Sequence, residues 1–173
     1  HLEHRRQRQM CIRDRPSYSM INRWLEVDGL LETLGDVGAG SIAFSPLAQG
    51  MLTSKYLVDI PATSRVSDNS SLPSSFIKPQ TMERIRGLNS IAAERGQTLA
   101  QMALAWVLRA QPVGQITTAL IGARTSEQIR DCIACIENLD FSTDELAKID
   151  KLADDAGINL WAPSSEFAGQ DDG

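Results

Sequence analysis

The run TLAQMALAWVLRA, residues 98–110, constrains this chain most, because it has a helical pattern that is apolar on nearly every side. Such a helix is stable only where other elements cover it all round. It leads into QITTALIGA, 115–123, a β-branched strand running into glycine, and then into TSEQIRDCIACIENL, 125–139, a second helix. Upstream, NRWLEVDGLLETLGDVGAG, 22–40, reads as a helix with Trp24, Leu25, Leu30, Leu31 and Leu34 apolar, ending in a glycine-rich turn. SIAFS, 41–45, follows as a short buried strand stopped by Pro46, since proline has no amide to give a sheet. Strands alternating with helices in this way predict βα units joined into a parallel sheet.

Local signals set the remaining boundaries. TMERIRGLNSIAAER, 81–95, carries Met82, Ile85, Leu88 and Ile91/Ala92 on one stripe, with Gly96 placed to end the helix. Thr98 with Gln101, and Ser142 with Glu145, have the spacing of capping boxes, in which each side chain satisfies the other's free amide. Residues 57–79 are rich in Ser and Pro and read as a long loop, and the tail 157–173 reads as irregular. Long loops in compact domains are often lids or binding loops.

Charge and composition exclude several functions. Residues 1–15 hold five arginines against Glu3 and Asp14, a net of +3, so the whole-chain charge of −5 leaves −8 on residues 16–173. An acidic body argues against nucleic-acid binding. No apolar run approaches the ~20 residues of a membrane span. Both histidines, His1 and His4, lie in the opening stretch, so the remainder has no histidine base or metal ligand. The three cysteines, Cys11, Cys132 and Cys135, form no disulfide framework and suit a reducing, cytoplasmic compartment. CIAC at 132–135 lacks the second pair or the histidines a zinc site needs; its spacing leaves a redox pair open, and the expected reading is two small core residues on one helix face.

ALIGARTSEQIRD carries the most chemistry. A strand ends, Gly122 lets the backbone approach a ligand, and a helix begins near Thr125 or Ser126. Free amides and the helix dipole there favour a phosphate, and Arg124 could add a bidentate contact. Tyr56 adjoins Lys55, but neighbouring side chains do not share a face, so the pair is not a catalytic acid.

FSPLAQGMLTSKY, 44–56, and LIGARTSEQIRD, 120–131, closely resemble the two cofactor-binding segments of the aldo/keto reductase superfamily. GQTLAQMALAWVL resembles the family's helix between its last two barrel strands, and PSYSMINR, 16–23, the stretch after its sixth strand. INLWAPSS, 158–165, is similar to the tail of the bacterial glyceraldehyde-3-phosphate reductase and potassium-channel β-subunit branch. The resemblance covers residues 16–165 and implies an incomplete (β/α)8 barrel, about strands six to eight with their helices, with 166–173 as a tail. It further implies that the catalytic Asp, Tyr, Lys and His set lies in a part this chain lacks. Carried over position by position, the resemblance implies that Phe44 lies against nicotinamide. Ser45, Pro46, Leu47, Ala48, Gln49 and Gly50 then line the pyrophosphate, and Lys55 meets a phosphate. Gly122, Arg124 and Gln128 surround the adenosine 2′-phosphate, with Asp131 and Cys132 near adenine. Members of the closest branch usually have Ser where Arg124 stands and Glu-Asn where Asp131 and Cys132 stand. Their nicotinamide-contacting Gln falls at Arg15.

What the resemblance implies is an NADPH-dependent reductase of aldehydes or ketones as the intact parent, with a small-molecule carbonyl substrate of open identity and an open oligomeric state. The alternatives are a cofactor-binding regulatory β-subunit-like protein, and a βα scaffold with a degenerate site. RRQRQMCIRDR, 5–15, can be encoded without a gap by a transposase-type sequencing adaptor, and HLEH before it fits a primer-derived codon and index. Residues 1–15 are therefore expected to be translated library DNA, and the chain alone is expected to be inactive.

Overall fold

A computed structural model describes residues 16–57, 78–112 and 114–153. The opening stretch 1–15, residues 58–77 of the expected loop, and the tail 157–173 lie outside the described residues. In chain order the elements are α1 (Trp24–Val27), α2 (Leu30–Asp36), β1 (Ser41–Phe44), α3 (Pro79–Glu94), α4 (Leu99–Leu108), β2 (Ile116–Leu120), α5 (Ser126–Ile133) and α6 (Thr143–Leu152). Short 3₁₀ turns occupy Ala48–Gly50, Ser54–Tyr56 and Ala134–Glu137.

β1 and β2 pair in parallel, with Ile42 opposite Thr118, Ala43 opposite Ala119 and Phe44 opposite Leu120. A third segment joins on the other side of β1, where Ser17 bridges Phe44. There Phe44 N–H donates to the Pro16 carbonyl (2.9 Å) and Tyr18 N–H to the Phe44 carbonyl (3.3 Å). The expected βα organisation is thus present as three parallel segments, in the order 16–18, β1, β2.

α4 is buried along most of its length, as its all-round apolarity predicts: Met102, Ala103, Ala105, Trp106 and Val107 have no solvent exposure. It packs with Tyr18, Met20, Leu25, Leu31, Ile85, Leu88, Ile116 and Ile149 in one core, each such side chain contributing roughly 1.5–3 kcal/mol. The stripe Met82, Ile85, Leu88, Ile91 and Ala92 of α3 is buried as expected. Both capping boxes form, at Thr98/Gln101 and at Ser142/Glu145.

Several boundaries differ from expectation, among them the end of the helix expected at 125–139, which stops at Ile133 and passes into the 3₁₀ turn Ala134–Glu137. The helix at 22–40 is two short helices, because Gly29 adopts φ +72° between them. α3 begins at Pro79 rather than after it, since a proline's missing amide costs nothing in a first turn. The strand expected at 115–123 ends at Leu120, and the one expected at 41–45 ends at Phe44. SIAFS is also not buried throughout: Ser41 and Ala43 are buried, whereas Ile42 is 40% exposed and Leu120 on β2 is 53% exposed. Alternate residues of a strand point to opposite faces, and the described helices cover only one face of this sheet.

Candidate functional site

In a parallel sheet the loops that leave the carboxyl ends of adjacent strands emerge side by side. Phe44 and Leu120, the last residues of β1 and β2, are register partners. The loops 45–57 and 121–125 therefore start from the same sheet edge, although some 70 residues separate them in the chain. The two segments that sequence motifs single out are neighbours in space.

The first loop is held in an uncommon backbone conformation. Ser45 (φ 54°), Ala48 (46°) and Gln49 (59°) lie in the left-handed region, with Gly50 at 96°. Each non-glycine residue there costs on the order of 1 kcal/mol, so the loop must be stabilised from outside. Burial of Ala48, Met51 and Leu52 does this. So do the bonds from Ala48 N–H to the Ser45 carbonyl (2.9 Å), from Gly50 N–H to the Leu47 carbonyl (2.9 Å) and from Leu52 N–H to the Leu47 carbonyl (3.2 Å). Thr53 closes the loop by donating to the Gly50 carbonyl (2.7 Å) and accepting from Lys55 N–H. Pro46 is buried, Phe44, Ser45, Leu47, Gln49 and Gly50 are half-buried, and Lys55 is exposed. Loops with mixed-hand backbone of this kind concentrate amide groups that suit an anion.

The second loop is open. A Cβ added at Gly122 would meet nothing within 4 Å, and Arg124 is exposed, with no ion pair to its guanidinium among the described residues. α5 starts one residue after Thr125, whose hydroxyl accepts from Gln128 N–H (3.3 Å). The Gln128 side chain reaches back to accept from Arg124 N–H (2.8 Å). The start near Thr125 is as expected, and Gln128 acts there as a cap.

Asp131 and Cys132 are held by their neighbours. Asp131 accepts from Gln101 Nε2 (2.8 Å) and from the Thr98 hydroxyl (3.3 and 3.4 Å). Cys132 is buried with Cys135, Leu104 and Ala105. Both cysteines are free and are core residues as expected, although Cys135 lies in the 3₁₀ turn after α5 rather than on one helix face with Cys132. Burial pushes both thiols up, helped at Cys132 by the Asp131 charge and at Cys135 by its neighbour Cys132. Such thiols are poor nucleophiles. Among the described residues no three His, Cys, Asp or Glu side chains gather as a metal site.

Beside the sheet edge lies a polar cluster that sequence reading does not reveal. Tyr18 is buried and donates to Glu26 Oε1, while Arg109 reaches the Tyr18 hydroxyl (3.3 Å) and Glu26 (3.3 Å). The guanidinium carbons of Arg109 and Arg23 lie 3.8 and 4.5 Å from the Trp106 ring centroid. Burial, followed by the Glu26 charge and hydrogen bond, pushes the Tyr18 phenol well above its ordinary value even against the opposing Arg109. Tyr18 is thus unsuited to donate a proton near neutrality. The signal for this cluster is tertiary: its members are up to 91 residues apart.

Residues 12–154 match the profile of the Aldo/keto reductase family. The chain is 44% identical over 155 residues to the L-glyceraldehyde 3-phosphate reductase of Escherichia coli K12, covering 87% of this chain and 44% of that protein. It is 34% identical over 146 residues to a putative voltage-gated potassium channel subunit beta of Schizosaccharomyces pombe, covering 82% of this chain and 42% of that one. In three dimensions it is similar to a thermostable aldo-keto reductase crystallised with the inhibitor epalrestat, at a TM-score of 0.53 and 25% identity, over 80% of this chain and 39% of that structure. The chain thus spans less than half the length of these relatives. No helix among the described residues is long and apolar enough to cross a membrane.

Proposed function

This chain belongs to the aldo/keto reductase family, and from that premise we propose that it forms the NADP(H)-binding part of an oxidoreductase that reduces aldehydes or ketones. The observation that carries the reading is the emergence of loops 45–57 and 121–125 from one edge of adjacent parallel strands. That edge is where open α/β sheets and βα barrels bind their ligands.

The donor set fits a dinucleotide with an additional phosphate. The Ala48 and Gly50 amides are spent on bonds within the loop, so the Leu47 N–H and the Ser45 hydroxyl are its donors for the pyrophosphate, and Lys55 adds a positive charge at its end. Gly122 leaves room for close approach, and Arg124 offers five N–H donors in a planar fork. The α5 amino terminus, capped by Thr125 and Gln128, favours negative charge beside it. Phe44 supplies an apolar surface at the sheet edge for the nicotinamide. Base recognition by Asp131 or Cys132 forms no part of the proposal, since one is engaged by α4 and the other is buried.

Bound NADPH would supply a hydride to the carbonyl carbon of the substrate. The chain's own residues hold and orient the nucleotide. Titration of the purified chain with NADPH and with NADH, followed by nicotinamide fluorescence, tests the reading. Saturable binding that favours NADPH is expected, with Arg124→Ala erasing most of the preference. Absence of saturable NADPH binding would overturn it.

A further inference from the structure

Every residue from Gly122 to Arg130 is exposed. Packing therefore does little to fix the arginine-bearing loop or the first half of α5. The nearest anchors are Cys132, buried, and Asp131, whose carboxylate crosses to the amino terminus of α4.

The crossing is a closed network. Gln101 Oε1 accepts from Thr98 N–H (3.0 Å), so its Nε2 is turned outward and donates to Asp131 (2.8 Å). The Thr98 hydroxyl accepts from Gln101 N–H (3.2 Å), leaving its own proton for Asp131. Both capping side chains of α4 thus aim a donor at the same carboxylate, which also sits at the positive end of the α4 dipole. From Asp131 the constraint passes along α5 to Gln128, which binds Arg124 N–H through its side chain and Thr125 through its amide.

We propose that Asp131 is a positioning residue. It ties α5 to the capping box of α4, and so holds the Gly122–Gln128 loop where a phosphate-bearing ligand would meet it. The buried, heavily packed α4 serves as the fixed frame and exposed α5 as the element it steadies. This rests on the nucleotide-binding reading above, but the tether itself can be tested without a ligand.

The test is a double-substitution cycle on the purified chain with Gln101→Leu, Asp131→Leu and both together, reading NADPH affinity and amide hydrogen exchange. Gln101 lies on α4, outside the candidate site. Each single substitution is expected to weaken NADPH binding about 5- to 20-fold, and the double substitution to weaken it no further than the weaker single variant. Exchange at the hydrogen-bonded amides of residues 122–128, those of Arg124 and Gln128, is expected to speed up in all three while that of α4 beyond its first turn is unchanged. Asp131→Asn, which keeps an acceptor for Gln101, should recover most of the affinity that Asp131→Leu loses. If Gln101→Leu binds NADPH like the unmodified chain while Asp131→Leu does not, Asp131 touches the ligand directly and the proposal is overturned. If the unmodified chain binds no NADPH, the nucleotide reading fails by itself. The tether then stands or falls on exchange at the Arg124 and Gln128 amides, and unchanged exchange in both single variants refutes it.

Discussion

Replacing Arg95 by methionine should cost this chain about 3 kcal/mol of stability. The guanidinium is almost wholly enclosed, its side chain only 3% exposed, at the junction of α3, α6 and the segment between α5 and α6. It donates to Glu145 Oε1 (2.7 Å), to the Asp140 carbonyl (2.9 Å), to the Asn138 carbonyl (3.3 Å) and to Gln97 Oε1 (2.9 Å), and lies 3.8 Å from the Phe141 ring centroid. Breaking a buried charged pair from one side costs roughly 3–5 kcal/mol. Glu145 keeps 29% of its side-chain surface in solvent and can be rehydrated, and Gln97 Nε2 still reaches the Asn138 carbonyl (3.1 Å). Methionine also retains the packing of the arginine stem. These offsets place the loss at the low end, about 3 kcal/mol. For a chain of this length that lowers the melting temperature by about 6–12 °C, measurable by circular dichroism at neutral pH. A fall of less than about 2 °C would mean that the bonds around Arg95 exchange for water at no net cost, and the reasoning would be wrong.

Other expectations follow from the same geometry. Burial tends to raise the Glu145 carboxyl, but the Ser142 amide and hydroxyl and then Arg95 together hold it below the usual carboxylate range. Its contribution is therefore present above the ordinary glutamate pKa and lost as pH falls through the lower folded value. Glu145→Gln should flatten the acid limb of a stability-versus-pH curve, and a curve unchanged in shape would refute the assignment. Gly114→Ala should destabilise by several kcal/mol, about 3 or more, because its Cβ would fall 2.0 Å from the Leu31 carbonyl oxygen, a backbone atom that cannot swing aside. Urea unfolding at full native stability would contradict that clash. Cys132 and Cys135 should resist iodoacetamide in the native chain and react readily in urea, as peptide mass mapping would reveal. Rapid native labelling would mean that α5 does not stay packed on α4.

Short-range chemistry was legible in the residues because it is decided within a turn or two of chain. The capping boxes at Thr98/Gln101 and Ser142/Glu145 follow from residue type and a three-residue spacing. The burial of α4 follows from its lack of a polar face, and the stop after α3 from Gly96 in the left-handed region. The break at Gly29 is not legible in the residues, because apolar spacing runs on through it while the glycine's backbone freedom turns the chain. The candidate ligand loops were recognisable as motifs, since a strand, a glycine and a helix start leave a local signature.

What the tertiary structure alone decided is how those motifs meet. Register between Phe44 and Leu120 sets loops 45–57 and 121–125 side by side, and it depends on which faces of two distant strands are covered. The left-handed backbone at Ser45, Ala48 and Gln49 is contrary to the intrinsic preference of those residues. It persists because burial of Met51 and Leu52 outweighs it. Arg95 meets Glu145, Tyr18 meets Arg109 and Asp131 meets Gln101 across 50, 91 and 30 residues of chain. Residue types name the donors and acceptors available to a chain, and only the packed fold brings particular ones within 3 Å of each other and excludes the water that would otherwise replace them.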